Sequence, residues 1–414
     1  MKKILIGFLI IVVLPFVSHA SGGSVYSRFG IGDLFFSYDA RRMSIGELGI
    51  ALKDFDYLGS MNPAGWSALK FTRFETGVVY HGNNISSNSS SVYHSDLIIP
   101  GFMIGFPVYQ KYGVSLVAGI VPYSNVDYKL SVVTDSSIVG GYTTDYEGKG
   151  GISKVMIGGT YQMPFGATLG FSLDYYNGKI SRKTSIEFIS SDGLIDGSFS
   201  DEYSYIAAGL TVGAISQDLS GLLGSDKISD LRLGAFYSNS VNVKVDSVNQ
   251  AATVIGTVTS SQGSVSEKIP ARYGAGISFL LDDDYRFIAD YLHQSFSDFT
   301  HNNLKSDVMQ DINKYSIGFE YRKSDVRSNS FWELVMLRFG LSYEESQYKI
   351  NGKGIDQISF YTGFSIPLDI ANRLDFAFQY GRRGAKDNNL LLENIYRFSV
   401  SLSIGELWFI RQDR

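Results

Sequence analysis

The sequence predicts an all-β protein: an antiparallel transmembrane β-barrel of about fourteen strands, with an N-terminal hatch plugging its lumen. Three observations carry that expectation. Apolar and polar residues alternate strictly in segment after segment from Phe71 to near the C-terminus. The 414 residues combine 44 Gly, 28 Phe and 27 Tyr with only 8 Pro, while mean hydropathy stays near zero. The only long apolar run, Ile4 to Val17, follows Lys2 and Lys3 and ends at Ser18-His19-Ala20, the pattern of an export signal cut after Ala20. A barrel accounts for all three, because lipid-facing apolar residues cancel lumen-facing polar ones in the average.

The alternation is plain near the C-terminus. Leu374, Phe376, Phe378 and Tyr380 oppose Asp375, Ala377, Gln379 and Gly381; Tyr396, Phe398, Val400, Leu402 and Ile404 oppose Arg397, Ser399, Ser401 and Ser403. A period of two with unlike faces is a half-buried strand. Strand starts are expected near Phe71, Leu97, Gly113, Tyr146, Ala167, Ser204, Asp230, Pro270, Tyr285, Lys314, Glu333, Asp356, Asn372 and Asn394. Short turns at 109–113, 163–167, 281–285 and 367–372 alternate with longer polar connections at 81–95, 189–203, 246–268 and 381–394, the asymmetry of short periplasmic turns and long outward loops. The domains expected are a signal peptide over 1–20, a hatch over 21–70 and the barrel over 71–414.

Other classes are disfavoured. With no cysteine there is no disulfide framework, thiolate metal site or lipid-bearing cysteine. A net charge of −5 argues against nucleic acid. His81, His94 and His301 lie in or beside expected loops with no ligand spacing, so neither metal nor other cofactor is expected. Trp408 and Phe409 suit an interfacial girdle after the last strand.

The segment Met43 to Phe71, MSIGELGIALKDFDYLGSMNPAGWSALKF, resembles the N-terminal hatch of the FadL family of outer-membrane transporters for long-chain fatty acids and other hydrophobic compounds. The matching positions are Ser44, Gly46, Gly49, Ala51, Asp54, Asn62, Pro63 and Ala64. Residues 24–42 are longer and more charged than the usual family N-terminus and resemble a divergent branch. The resemblance implies a monomeric passive channel in the outer membrane of a Gram-negative bacterium. A fatty-acid-like ligand enters a pocket in the barrel and leaves sideways into the lipid through a gap at a kinked third strand. Barrels of this kind also occur as shuttle or scaffold components of a type IX secretion apparatus, so secretion-system proteins are the alternative partners.

Gly119 and Pro122 mark the candidate lateral opening, since proline donates no ladder hydrogen bond and a closed barrel has no cheap edge for it. Among inward charges, Arg338, Arg397, Asp174, Asp290 and Asp375 are candidates for lumen or headgroup contacts, set against a mutually neutralising network. Some outer-membrane barrels are phospholipases with His and Ser on the lipid-facing side, and His293-Gln294-Ser295 has that spacing. Phe296-Ser297 replaces the Asn-Gly that follows the serine in those enzymes, and no enzyme is expected.

Overall fold

The computed structural model describes residues 23–136, 140–189, 194–253, 255–323, 331–369 and 371–407. The expected signal peptide and girdle residues Trp408 and Phe409 lie outside the described residues.

Fourteen antiparallel strands close into a barrel. They are β1 Thr72–Ser86; β2, in two segments, Ser91–Ile98 and Phe102–Tyr109; β3 Val114–Ser136; β4 Gly140–Gln162; β5 Thr168–Phe188; and β6 Gly197–Ile215. Next come β7, Ile228–Ser238 and Val241–Thr253; β8, Gly256–Ile269 and Arg272–Leu281; and β9 Tyr285–Gln294, extended by Thr300–His301. The last are β10 Ile312–Tyr321, preceded by Leu304–Lys305; β11 Met336–Ile350; β12 Lys353–Pro367; β13 Arg373–Gly384; and β14 Leu392–Glu406. The circle closes where β1 pairs with β14, from Thr72↔Glu406 to Ser86↔Leu392. We call the end where β1 begins the near rim.

The faces are inverted relative to a soluble protein. On β11, Leu337, Phe339 and Leu341 are 44%, 45% and 47% exposed, whereas Arg338, Ser342 and Glu344 on the strand's other face are buried. Only a non-aqueous surrounding stabilises that arrangement over a whole circumference.

Two expectations about connections need correction. The long polar stretches are mostly strand: β1 reaches Ser86 and β2 begins at Ser91, while 246–268 is the paired end of a β7–β8 hairpin, with Asp246 opposite Ser264. Serine- and glycine-rich strands with water on both faces still satisfy their backbone in the ladder, so no apolar alternation marks them. The near rim, conversely, carries a longer turn over 216–227, with a one-turn helix at Ser220–Leu222.

The main apolar cluster lies inside the barrel. Tyr26, Ile31, Leu34 and Phe36 from the N-terminal segment meet Tyr123, Tyr176, Phe236 and Leu292 from the wall. A second cluster, nearer the near rim, packs Tyr38, Leu58, Trp66 and Leu69 against Met103, Val117, Val121 and Met156. Leu341→Arg, which puts a charge on the outward face, is expected to cost about 2–4 kcal/mol in unfolding measured in lipid bilayers. A change under about 0.5 kcal/mol, as at a wetted surface, would contradict this inside-out reading.

Candidate functional site

Residues 23–70 run inside the barrel, held by charges that the strand alternation points inward. The short helix α1, Ala40–Ser44, is capped by Asp39, whose carboxylate accepts the Arg42 amide at 2.7 Å. The cap directs Arg41 between two carboxylates. Arg41 pairs with Asp54 of its own segment and donates Nε to Glu320 of β10 at 2.9 Å. Glu320 also accepts Arg338 Nε at 2.6 Å, and Arg338 reaches Asp375 at 3.0 Å. Tyr57 closes this chain by donating to Asp375 at 2.9 Å. Asp56 takes two bonds from Arg322, at 3.2 and 2.8 Å, and one from Arg373 at 3.0 Å. Burial alone would raise the Asp54 carboxyl, but the Arg41 and Arg42 guanidiniums bring it down to about 2.

Two more clusters continue the lattice. Glu47 accepts Lys314 at 2.6 Å, Arg397 at 3.1 Å and Tyr361 at 3.2 Å. Asp33 accepts both Arg383 nitrogens at 2.9 Å and the Tyr348 hydroxyl at 2.9 Å, while Arg383 also holds Glu393. Asp290 accepts the backbone N–H groups of Gly49 and Ile50 at 2.7 and 3.0 Å.

The residues of the resemblance are close-contact positions. Ser44 Oγ donates back to the Arg41 carbonyl at 2.7 Å. Gly46 approaches β10 and β11 near Ser316 and Leu341, and Ala51 is fully buried with its carbonyl accepting Ser278 Oγ at 3.3 Å. Asn62 caps the short helix Pro63–Ala68: its Oδ1 accepts the Ala64 amide at 3.1 Å and its Nδ2 donates to the Ile50 carbonyl at 2.8 Å. A Cβ at wall residue Gly213 would fall 1.9 Å from that Oδ1, so the Asn-Pro-Ala turn needs glycine opposite it.

The wall is incomplete beside this segment. The β2–β3 ladder runs from Tyr109↔Val114 to Phe102↔Ile120 and stops. Beyond it, Ser91–Ile98 of β2 pairs with β1, and β3 stays paired with β4 as far as Ser136↔Gly140. Among the described residues no ladder joins β2 to β3 there. Gly101 turns the chain at the break with φ +85°, and a Cβ there would meet the Ile120 carbonyl at 1.9 Å. Pro122 forms the lip, with a bulge between Pro122 and Ser124 that leaves Tyr123 pointing inward and buried. Gly119 lies below, paired to Met103 and Met156 in intact wall. The orphan edge of β3 is taken by the N-terminal segment: Asp33↔Asn125, Leu34↔Ser124, the Phe35 amide to the Tyr123 carbonyl at 3.0 Å, and the Gly23 amide to Asp127 at 2.9 Å.

Behind the lip, Phe35, Phe36, Met61, Val121, Pro122 and Tyr123, together with the polar Lys154, Asn239, Arg272 and Gln294, border a small cavity of about 30 Å³. A second small cavity, of about 20 Å³, is bordered by Leu34, His81 and Ile98.

Of the five inward charges singled out from sequence, Arg338, Arg397, Asp290 and Asp375 touch the N-terminal segment. Asp174 does not; it accepts Thr211 at 2.6 Å and Ser172 at 2.9 Å within the wall, with Lys154 at 3.5 Å. Sequence reasoning missed Asp33, Arg41, Glu47, Arg383 and Glu393. The cluster of charges in 33–47, dense for a segment destined for a lumen, was the available signal.

Residues 1–413 match the family model described as BamG. Among curated proteins, none matches the sequence. Solved structures with the same architecture include the toluene transporter TbuX of Ralstonia pickettii, at TM-score 0.59 and 15% identity over 90% of this chain and 99% of that one. A FadL homologue from Pseudomonas aeruginosa aligns at TM-score 0.60 and 10% identity, over 90% and 99% of the two chains. The monoaromatic hydrocarbon channel CymD aligns at 0.54 and 16%, over 95% and 99%. At such identities the likeness establishes the FadL-type fold.

Two outcomes follow from the lattice. Arg41→Ala removes the cation that Asp54 and Glu320 share, leaving Asp54 to Arg42 and Glu320 to Arg338, and is expected to destabilise the protein by about 1.5–3 kcal/mol, read from unfolding in detergent. Because folding depresses the Asp54 carboxyl, its contribution is fully present above the ordinary value of about 4 and is lost as pH falls toward about 2. Pepsin cleavage within 23–70 should therefore rise steeply across that window, and a flat profile would exclude Asp54 as the acid-labile anchor.

Proposed function

The chain belongs to the BamG family, and we propose that it is a passive outer-membrane channel for hydrophobic compounds, long-chain fatty acids among them, that releases its cargo sideways into the lipid. Residues 21–70 act as the hatch. The observation that carries this reading is the missing β2–β3 ladder above Pro122, filled by Asp33–Phe35 instead of by a neighbouring strand. A two-residue pairing separates far more readily than the long ladders around it, so the seal is the part of the wall that can open.

The solved relatives' descriptions name toluene, monoaromatic hydrocarbons and a FadL homologue, which supports an apolar cargo. At the lip itself Phe35, Phe36, Met61 and Val121 offer apolar surface, beside the polar Lys154, Arg272 and Gln294. Sideways exit spares the cargo a passage through water, which costs about 0.8 kcal/mol for each exposed methylene. The gradient of the cargo drives the flow. Arg338 and Arg397 serve as hatch anchors, being engaged by Glu320, Asp375 and Glu47. In this reading the near rim faces the periplasm.

The absence of native cysteine permits a clean test. Leu34→Cys with Ser124→Cys, oxidised to a disulfide across that register pair, should abolish uptake of a labelled long-chain fatty acid or toluene, and reductant should restore it. Uptake that persists with the disulfide fully formed would exclude this exit.

A further inference from the structure

A second constellation stands on the outward face of the wall, away from the N-terminal segment. Register places His293 of β9 opposite Asn313 of β10, and Asn313 opposite Glu345 of β11, in one row. Ser295 follows just past the end of the first β9 segment. His293 Nδ1 lies 2.9 Å from Asn313 Oδ1, and His293 Nε2 lies 3.2 Å from Ser295 Oγ.

The proton positions follow from the partners. The Glu345 carboxylate only accepts, so the Asn313 group 2.7 Å from it is the amide nitrogen. That turns Asn313 Oδ1 toward His293, and the Tyr291 hydroxyl donates to the same oxygen at 2.9 Å. Facing an acceptor, His293 Nδ1 must carry the proton, which leaves Nε2 free to accept the Ser295 hydroxyl. The Tyr273 ring, 4.9 Å from the imidazole, packs against it.

We propose that Ser295, His293 and Asn313 form a hydrolase triad that cleaves acyl esters of membrane lipids at the outer surface of the barrel. The order nucleophile, base, orienting acceptor is recognised by geometry and role rather than by fold or chain order. The depth selects the substrate class. One step closer to the barrel's middle, Tyr291, Tyr315 and Tyr343 form a cross-strand aromatic row, the kind of belt that marks a membrane–water interface. Ester linkages of lipids lie at that level, and outward-facing Tyr315 and Ile317 offer a track for an acyl chain.

Ser295 Oγ attacks the ester carbonyl carbon while its proton passes to His293 Nε2. The ester C–O bond then breaks, and the imidazolium returns the proton to the departing alcohol. Water, activated by His293, cleaves the acyl-serine, releasing the fatty acid and restoring the serine hydroxyl. The oxyanion needs a donor, and the N–H of the residue after the nucleophile, Phe296, is covalently tied to the site. Ser295 and His293 are the catalytic residues; Asn313 and Glu345 are positioning residues. This inference is independent of the channel.

The test uses the full chain in mild detergent micelles holding a dioleoyl phosphatidylcholine, with hexadecylsulfonyl fluoride as the active-serine probe. The expected results are a sulfonyl adduct on Ser295 by peptide mass spectrometry, and fatty-acid release that falls at least about 100-fold in Ser295→Ala and His293→Ala. Asn313→Ala should lower kcat about 10–100-fold with KM unchanged, a split that mere loosening of the strand would not produce. Unmodified Ser295 in wild-type protein that is demonstrably folded, with lipid cleavage equal in wild type and Ser295→Ala, would overturn the proposal.

Discussion

A barrel whose apolar face looks outward has to fill its interior with polar side chains, and here everything else depends on how those charges are neutralised. Arg338, Lys314, Arg383, Glu320, Asp375 and Glu393 are buried wall residues, and isolated buried charges would cost several kcal/mol each. The N-terminal segment supplies further counter-charges, Asp33, Glu47 and Asp56 to the wall's cations and Arg41 to Glu320, while Asp54 balances Arg41 and Arg42 within the segment. Wall and segment therefore complete each other. Arg–carboxylate pairs fix orientation as well as charge, so the same lattice sets where each turn of the segment lies.

That fixed path gives the break its meaning. Asp33 is clamped by Arg383 and Tyr348 on the opposite side of the lumen while its backbone pairs with Asn125 of β3. One short stretch thus joins the lattice to the lip of the wall. At the other end of the segment, Asp290, Gly213 and the Asn62 cap hold 49–64 by hydrogen bonds and close packing. The ladder to β3 at the seam is only two residue pairs long, but the seam opens only if the Asp33 clamp is released with it.

Much of this was legible in the sequence, and the limits are physical. Strict alternation near residues 374–404 reveals strands and their outward face because lipid selects apolar side chains there. The same signal fades where β7 and β8 pass beyond the apolar belt, since Ser, Thr and Gly pair as strands without an apolar face. Pro122 pointed to the third strand, but the break begins where Ile99-Pro100-Gly101 interrupts the second, and a break is a property of two strands. The charges of Arg338 and Asp375 were readable; their partners were not, because Arg41 and Tyr57 lie hundreds of residues away. His293 and Ser295 were visible as a spacing, whereas Asn313 and Glu345 join them only through cross-strand register.

The central claim, that Asp33–Phe35 is a releasable seal held between the lattice and the lip, is tested most directly by amide hydrogen exchange of the protein in lipid nanodiscs, with and without toluene. The account predicts a Phe35 amide that is protected without the hydrocarbon and exchanges markedly faster with it, while the Gly49 and Ile50 amides bound to Asp290 stay unchanged. Equal exchange at Phe35 in both conditions, or acceleration of all three together, would contradict it.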